Sequence, residues 1–103
     1  MREFESGATR DDDEGKLDYF GFLSPFALER FAKYMHEHRI QSDGSMRDSD
    51  NWKKGIPEDE YMRSLFRHFM EVWLTYEFGG NMEEPLCAML FNVQGLLHEN
   101  VKP

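Results

Sequence analysis

A polar segment between two predicted helices holds the side chains best suited to bind a small charged molecule. This segment, Asp48–Pro57, places carboxyl and amide groups, one indole ring and two ammonium groups before a Gly and a Pro. Because Gly and Pro punctuate the backbone, we expect a loop beside a helix start. Trp52 could stack on a base while Asn51 reads its edge, and Lys53 and Lys54 could meet phosphate. The segment is therefore predicted to clamp an anion or a nucleotide, and the alternative for Trp52 is a hydrophobic plug that anchors the loop.

A second polar group lies on the helix predicted to follow this loop. Arg67 and His68 are adjacent, and Glu71 follows His68 at a spacing of three, so that one ligand could touch His68 and Glu71 together. His68 could donate to a phosphate, and Arg67 could bind one in bidentate fashion. We treat all three as candidate catalytic residues. The simpler alternatives are a partly exposed His bonded to backbone, a solvated Arg and a surface carboxylate.

Carboxylates near predicted helix ends are candidate ligands for Mg²⁺. Glu83 and Glu84 precede the last predicted helix, and they would form a cluster with Glu29 if the helix ends converge. Glu71 is the fourth candidate ligand. Mg²⁺ sites need only one or two carboxylates together with water and substrate phosphates. Helix capping is the alternative role for one of the two adjacent carboxylates.

Asn92 interrupts the most apolar predicted helix. An amide buried without partners costs roughly 1–3 kcal/mol, so Asn92 must bond either to a neighbouring helix or to a sugar, a base or a metal-bound water. His36 and His38 lie two residues apart, on different sides of their helix, so no two-histidine metal site is expected from them. Cys87 has no neighbouring base in the sequence and is interpreted as a packing residue.

Composition limits the class of protein. The 103 residues suit one domain spanning 1–103, and an aromatic content of 15% argues against disorder. A formal charge of −8 disfavours binding to nucleic-acid polymers, because phosphates would be repelled. One cysteine permits no internal disulfide, which fits a reducing compartment, and no apolar run approaches the roughly 18 residues of a membrane span. We expect a cytoplasmic protein that binds no membrane.

Hydrophobic periodicity predicts an all-α fold with three main helices. The first begins at Ser24–Pro25 and fades near Arg39–Ile40, the second runs from Pro57 to Gly79–Gly80, and the third starts at Asn81 or Pro85. The predicted apolar stripes comprise Leu28, Phe31, Ala32 and Met35 in the first helix, Met62, Leu65, Phe66, Phe69, Trp73 and Tyr76 in the second, and Leu86, Met89, Leu90, Val93, Leu96 and Leu97 in the third.

The segment before the first helix is predicted to be an extended, acidic arm. Gly7, Gly15 and the run Asp11–Glu14 oppose a regular element, so residues 1–15 are expected to be flexible. Residues 16–23 are more apolar and are expected to pack across the helices. Three helices and an arm make a thin core, and the wide apolar surface of the third helix suggests that a second subunit covers it. We therefore expect a homo-oligomer, a dimer or higher.

Motifs spread along the chain resemble a known family. The order is Gly15–Tyr19, a Pro-led helix with Leu28-Glu29, the segment Asp50–Gly55, the pair Arg67-His68 and an apolar helix bearing Ala, Cys and Asn. This order resembles the phage dATP/dGTP diphosphohydrolase N-terminal family, which is similar to the all-α, MazG-like nucleotide pyrophosphohydrolases. The resemblance covers residues 7 to 99, and the Asn-Trp-x-Lys-Gly segment with the downstream Arg-His pair is its most specific part.

The resemblance implies a dimeric Mg²⁺ enzyme that cleaves purine deoxynucleoside triphosphates to a monophosphate and pyrophosphate, in the host cytoplasm if the gene is phage-borne. It also implies that Lys16 and Asp18 contact substrate. Pro85 and Ala88 stand where the family has histidines, and the paired metal-binding motifs of the MazG-like enzymes are not visible. A non-catalytic nucleotide-binding protein, either a sponge or a regulatory module, is therefore the second hypothesis. A helical adaptor that binds a host protein through an apolar face is the third.

Overall fold

Two long helices form a hairpin, and a third helix packs beside it. The computed structural model describes residues 2–11 and 14–103. The all-α prediction is confirmed, since the three main helices are α2, α3 and α4. In chain order the elements are β1 (Arg2–Glu3), β2 (Thr9–Arg10), α1 (Tyr19–Phe22), α2 (Pro25–Glu37), a 3-10 helix (Asn51–Lys54), α3 (Glu58–Phe78) and α4 (Glu83–Val101).

Local capping chemistry sets the helix ends. The Ser24 hydroxyl accepts from the Ala27 backbone N–H, and Pro25 occupies the first turn of α2, as predicted. Gly79 ends α3 with a φ of 96°, a conformation that L side chains rarely adopt. The start of α4 falls at Glu83, between the two starts that the sequence left open, and the Asn81 side chain accepts from the Glu83 N–H at 2.8 Å.

The four-residue connection after α3 returns the chain antiparallel to itself. Contacts between the two helices follow opposite residue order, as antiparallel packing requires. Tyr61 lies against Gly95, Ser64 bonds Asn92, and Glu58 bonds Asn100. Small residues on α4 permit this close approach. Gly95 is buried, and a β-carbon at that position would collide with the ring of Tyr61, which is only 1% exposed.

The apolar stripe predicted for α3 is not the surface that packs on α4. The surface facing α4 is more polar, and most of the predicted stripe is exposed, with only Leu65 half-buried. Small side chains decide this arrangement, because helices approach most closely where bulk is least. The residues of α3 that are withdrawn from solvent are Tyr61, Ser64, Leu65, His68, Val72 and Thr75.

The N-terminal segment differs from both predictions made for it. Residues 2–3 and 9–10 pair as a short antiparallel ladder, so the arm contains a regular element, whereas Asp12 and Asp13 of the acidic run lie outside the described residues. Residues 16–23 do not pack across the helices. They include the single turn of α1, where the Asp18 side chain accepts from the Gly21 N–H, and Phe20 is 98% exposed.

The contact between Gly95 and Tyr61 gives a stability prediction whose sign opposes helix propensity. An Ala in a helix interior normally stabilises relative to Gly by roughly 0.5–1 kcal/mol. We expect Gly95→Ala instead to lower the free energy of unfolding by about 1–3 kcal/mol, because the methyl group overpacks the Tyr61 ring. Urea denaturation measures the change. As a control, Gly95→Ala is also introduced into the Tyr61→Leu variant, which lacks the ring. If Gly95→Ala lowers the free energy of unfolding equally in the wild type and in Tyr61→Leu, the proposed clash is contradicted.

Candidate ligand cavity

A cavity of about 580 Å³ lies between α2, the 40–57 segment and the two hairpin helices. Four candidate residues from distant parts of the sequence meet in its wall: Asn51 and Trp52 from the loop, His68 from α3 and Asn92 from α4. The volume falls within the range of small-molecule sites. The remaining wall includes Tyr34, His36, His38, Arg39, Arg47, Asp48, Ser64 and Phe91.

Trp52 is held by aromatic contacts with α4. Its ring meets the Phe91 ring at 6.5 Å and the His98 ring at 4.9 Å, both edge-on, and its own side chain is half-buried. The contacts seat the 3-10 helix on the hairpin and leave part of the indole in the cavity wall. Trp52 thus plugs the loop, as the simpler hypothesis held, and it also provides an aromatic surface that a ligand can meet.

Asn92 is 2% exposed, and its side chain forms hydrogen bonds with both α3 and its own helix, α4. Its Nδ2 donates to the Ser64 Oγ on α3 at 3.1 Å and to the Ala88 backbone oxygen on α4 at 2.8 Å. Structural bonding therefore uses both donors of the amide. The carbonyl oxygen of Asn92 has no bond to another described residue and retains acceptor capacity in the cavity wall.

His68 and Glu71 form the pair that their spacing predicted. The His68 Nδ1 lies 3.2 Å from the Glu71 Oε2. An ionised carboxylate only accepts hydrogen bonds, so His68 donates from Nδ1, and its other nitrogen, Nε2, is an acceptor while the ring is neutral. Glu71 orients the ring in this way from outside the cavity, since His68 lines the wall and Glu71 does not.

Two arginines in the cavity wall were not identified from the sequence. The chain after α2 turns back on itself, with an isolated bridge between Ile40 and Met46. The turn brings Arg39 and Arg47 together: the Arg39 Nε donates to the Arg47 backbone oxygen at 2.8 Å, and an Arg47 Nη donates to the His38 backbone oxygen at 3.1 Å. The signal that could have found them was the Asp-Gly dipeptide at the turn tip, which favours a tight reversal.

The lining is locally basic in an acidic chain. Two arginines and three histidines, His36, His38 and His68, line the cavity, and Asp48 is the one carboxylate among its lining residues. The Tyr34 ring stacks on His38 with centroids 4.0 Å apart, and burial raises the pKa of the Tyr34 hydroxyl, which therefore stays protonated. The site combines cationic groups, aromatic surfaces and amide groups, which suits an anionic ligand with a flat ring.

Several candidate residues lie outside the cavity wall. Lys53 and Lys54 sit exposed on the 3-10 helix, where the Lys53 Nζ lies 5.7 Å from the Trp52 ring centroid. Arg67 and Lys16 are exposed, and Asp18 is used to cap α1. Cys87 is buried away from solvent, and burial raises the pKa of its thiol, which agrees with its interpretation as a packing residue.

The four candidate metal ligands do not converge in the single chain. Arg30 bonds Glu83 at 2.8 Å and Glu84 at 3.2 Å, and Glu29 pairs with Lys33 at 3.1 Å. Glu71 bonds His68. Within residues 2–11 and 14–103, no three His, Cys, Asp or Glu side chains are placed to hold a metal ion together. Arg30 thus pairs with both carboxylates at the start of α4, and the four candidate ligands of one chain lie in three separate contacts.

No family model matches the chain, and neither the curated proteins nor the solved structures contain a significant match. Among the helices of the described part of the chain, none combines the length and apolarity needed to cross a lipid bilayer.

The Arg30 contact makes a pH prediction. Hydrogen bonding and charge from Arg30 lower the pKa of Glu83. A lowered folded-state pKa gives stability that is present above the unfolded value, about 4.3, and is lost as pH falls through the folded value. We expect Glu83→Gln to lower the urea midpoint at neutral pH and to match the wild type in strong acid.

Glu60→Gln is the control for this prediction. Glu60 also lies in the first turn of a helix, but it has no ion-pair partner among the described residues. Glu60→Gln tests the helix-dipole effect alone, so the urea midpoint at neutral pH should fall less than it does for Glu83→Gln. Equal losses for Glu83→Gln and Glu60→Gln would show that Arg30 contributes nothing.

Proposed function

We propose that the cavity binds a phosphorylated purine deoxynucleoside and that nucleotide binding is the function of this chain. The base would lie against Trp52 and Phe91, with amide groups of Asn51 and Asn92 at its edge. The phosphates would lie toward Arg39 and Arg47. Aromatic stacking and guanidinium–phosphate bonds are the usual means by which proteins hold these two parts of a nucleotide.

The observation that carries the proposal is the charge of the lining. A chain with a formal charge of −8, counted with histidine neutral, places two arginines and only one carboxylate around one cavity. An apolar or cationic ligand would gain nothing from that distribution, whereas a phosphate group would. The side-chain bonds to backbone oxygens that hold Arg39 and Arg47 also reduce the entropy lost when a ligand binds.

Hydrolysis is the second candidate function, and the family resemblance favours it. In that case the chain would release pyrophosphate from dATP or dGTP with Mg²⁺, and His68, held by Glu71, would contact the phosphates. None of the four candidate metal ligands lines the cavity, so we derive no catalytic step that passes through a metal. Binding without cleavage is the function that the geometry supports better.

A nucleotide panel tests both functions. Thermal melting of the full chain is measured with dATP, dGTP, dCTP, dTTP and their monophosphates, with and without Mg²⁺, and the products are analysed in the same samples. We expect purine nucleotides to raise the melting temperature by mass action. Intact nucleotide after incubation supports binding alone, and pyrophosphate released only with Mg²⁺ supports the enzyme. No shift and no product with any nucleotide would overturn the proposal.

Paired variants locate the site. We expect Trp52→Leu and Arg47→Gln each to weaken purine nucleotide binding at least about tenfold, through lost stacking and a lost phosphate contact. Phe78→Leu and Arg63→Gln are the controls, because neither residue lines the cavity. Isothermal titration gives the dissociation constants. A control variant that weakens binding as much as its partner would place the ligand elsewhere.

A further inference from the structure

The side of the hairpin that faces away from α2 and the cavity is apolar and uncovered. We define this outer face as Met62, Phe66, Phe69, Trp73 and Tyr76 of α3 with Leu86, Leu90, Val93, Leu97 and Val101 of α4. All ten side chains are at least two-fifths exposed. Lone exposed apolar residues are ordinary, but a continuous apolar surface of this extent marks an interaction site.

Helical geometry puts the two stripes on one side. At about 100° per residue, the α3 stripe lies roughly 100° around the helix from the surface that faces α4. The α4 stripe lies roughly 140° around its own helix from the surface that faces α3, in the same rotational sense. Rotation in the same sense in two antiparallel helices turns both stripes to the same side of the hairpin. Ser64 and Phe91, which line the cavity, are rotated in the opposite sense, so the cavity opens on the other side.

The accessible surface of the chain is larger than that of a compact monomer of the same mass. Its accessible surface is 8534 Å², whereas a compact monomer of 12.3 kDa exposes about 6,100 Å². Its Cα radius of gyration is 18.7 Å, against about 13 Å for a compact domain of this length. Part of the excess of about 2,400 Å² belongs to the mostly exposed residues 2–11 and 14–23. The remainder leaves room for the roughly 1,000 Å² or more that each subunit of an obligate dimer buries.

We propose that a second copy of this chain packs on the outer face, joining two hairpins into a four-helix bundle. The spacing of Leu86, Leu90, Val93 and Leu97 alternates four and three residues, the pattern of helices that pack side by side. An apolar hollow of about 270 Å³ between Phe69, Trp73, Tyr76 and Met82 can receive side chains from the second copy. The absence of charge from these ten positions lets two chains of charge −8 meet there without direct repulsion. This inference does not depend on the proposed nucleotide ligand.

The test is the mass of the purified full chain by light scattering, without nucleotide. We expect an assembly of at least two 12.3 kDa chains whose melting temperature rises with protein concentration. A single-chain mass at the highest attainable concentration would overturn the proposal and would mean that the face serves a different protein or none.

Adjacent substitutions on α3 identify the face. Trp73 is 52% exposed on the outer face, and Leu74 is 53% exposed but points away from it. We expect Trp73→Glu to give a single-chain mass and Leu74→Glu to leave the assembly intact. Dissociation by Leu74→Glu alone, or assembly of both variants, contradicts this interface.

A second, milder pair of substitutions keeps the test decisive if Trp73→Glu fails to fold, as judged by loss of its helical circular dichroism. Val93→Ala removes two methyl groups from the outer face of each copy, and Leu74→Ala truncates a side chain that points away from it. We expect Val93→Ala to raise the dimer dissociation constant at least about tenfold in sedimentation equilibrium. Leu74→Ala should leave it unchanged. An unchanged constant for Val93→Ala overturns the proposal.

Discussion

The close approach of α3 and α4 is the constraint on which the rest of the structure depends. Tyr61 lies against Gly95, and one hydrogen bond from Asn92 to Ser64 joins the helices in the middle of the contact. Among the residues that the structure describes, only a few side chains are buried, and most of them belong to this contact. The loop, α2 and the cavity are all built on one side of the hairpin that results.

This contact also explains why the cavity wall is polar. The α3 surface facing α4 carries Ser64 and His68 among its half-buried positions, and α4 supplies Asn92. A polar group near a helix interface needs partners, because leaving it unpaired costs free energy. Here each of the three has a hydrogen-bond partner. The same groups then line the cavity, so packing and recognition share residues, and substitutions there will affect both.

The helices could be predicted from the sequence because their signals are local. Ser24-Pro25, Pro57 and Gly79 act on the turn in which they stand, and the structure places helix ends within a few residues of each. The choice of helix surface could not be predicted in the same way. Periodicity correctly placed Phe66, Phe69 and Trp73 on one stripe, but it does not say whether that stripe meets another part of the same chain.

The residues of the candidate site could be predicted only where their type was unusual for the segment that holds them. Trp52, His68 and Asn92 were singled out because their residue types are unusual for their segments, and all three line the cavity. Arg39 and Arg47 were missed because an arginine at a helix end or in a loop is ordinary. Only the chain reversal between Ile40 and Met46 makes them neighbours. The carboxylates at the start of α4 were considered without Arg30, whose position depends on how α2 packs.

The bare α-carbon of Gly95 also fixes how α3 and α4 can align along their common axis. Sliding α4 by one turn would bring Phe91 or Glu99 opposite Tyr61, where neither side chain fits. Every other residue of α4 carries a β-carbon, so no slide of the helix presents a second position that accepts the ring. The hairpin therefore has a single alignment, and α3 and α4 cannot slide along each other by a helical turn.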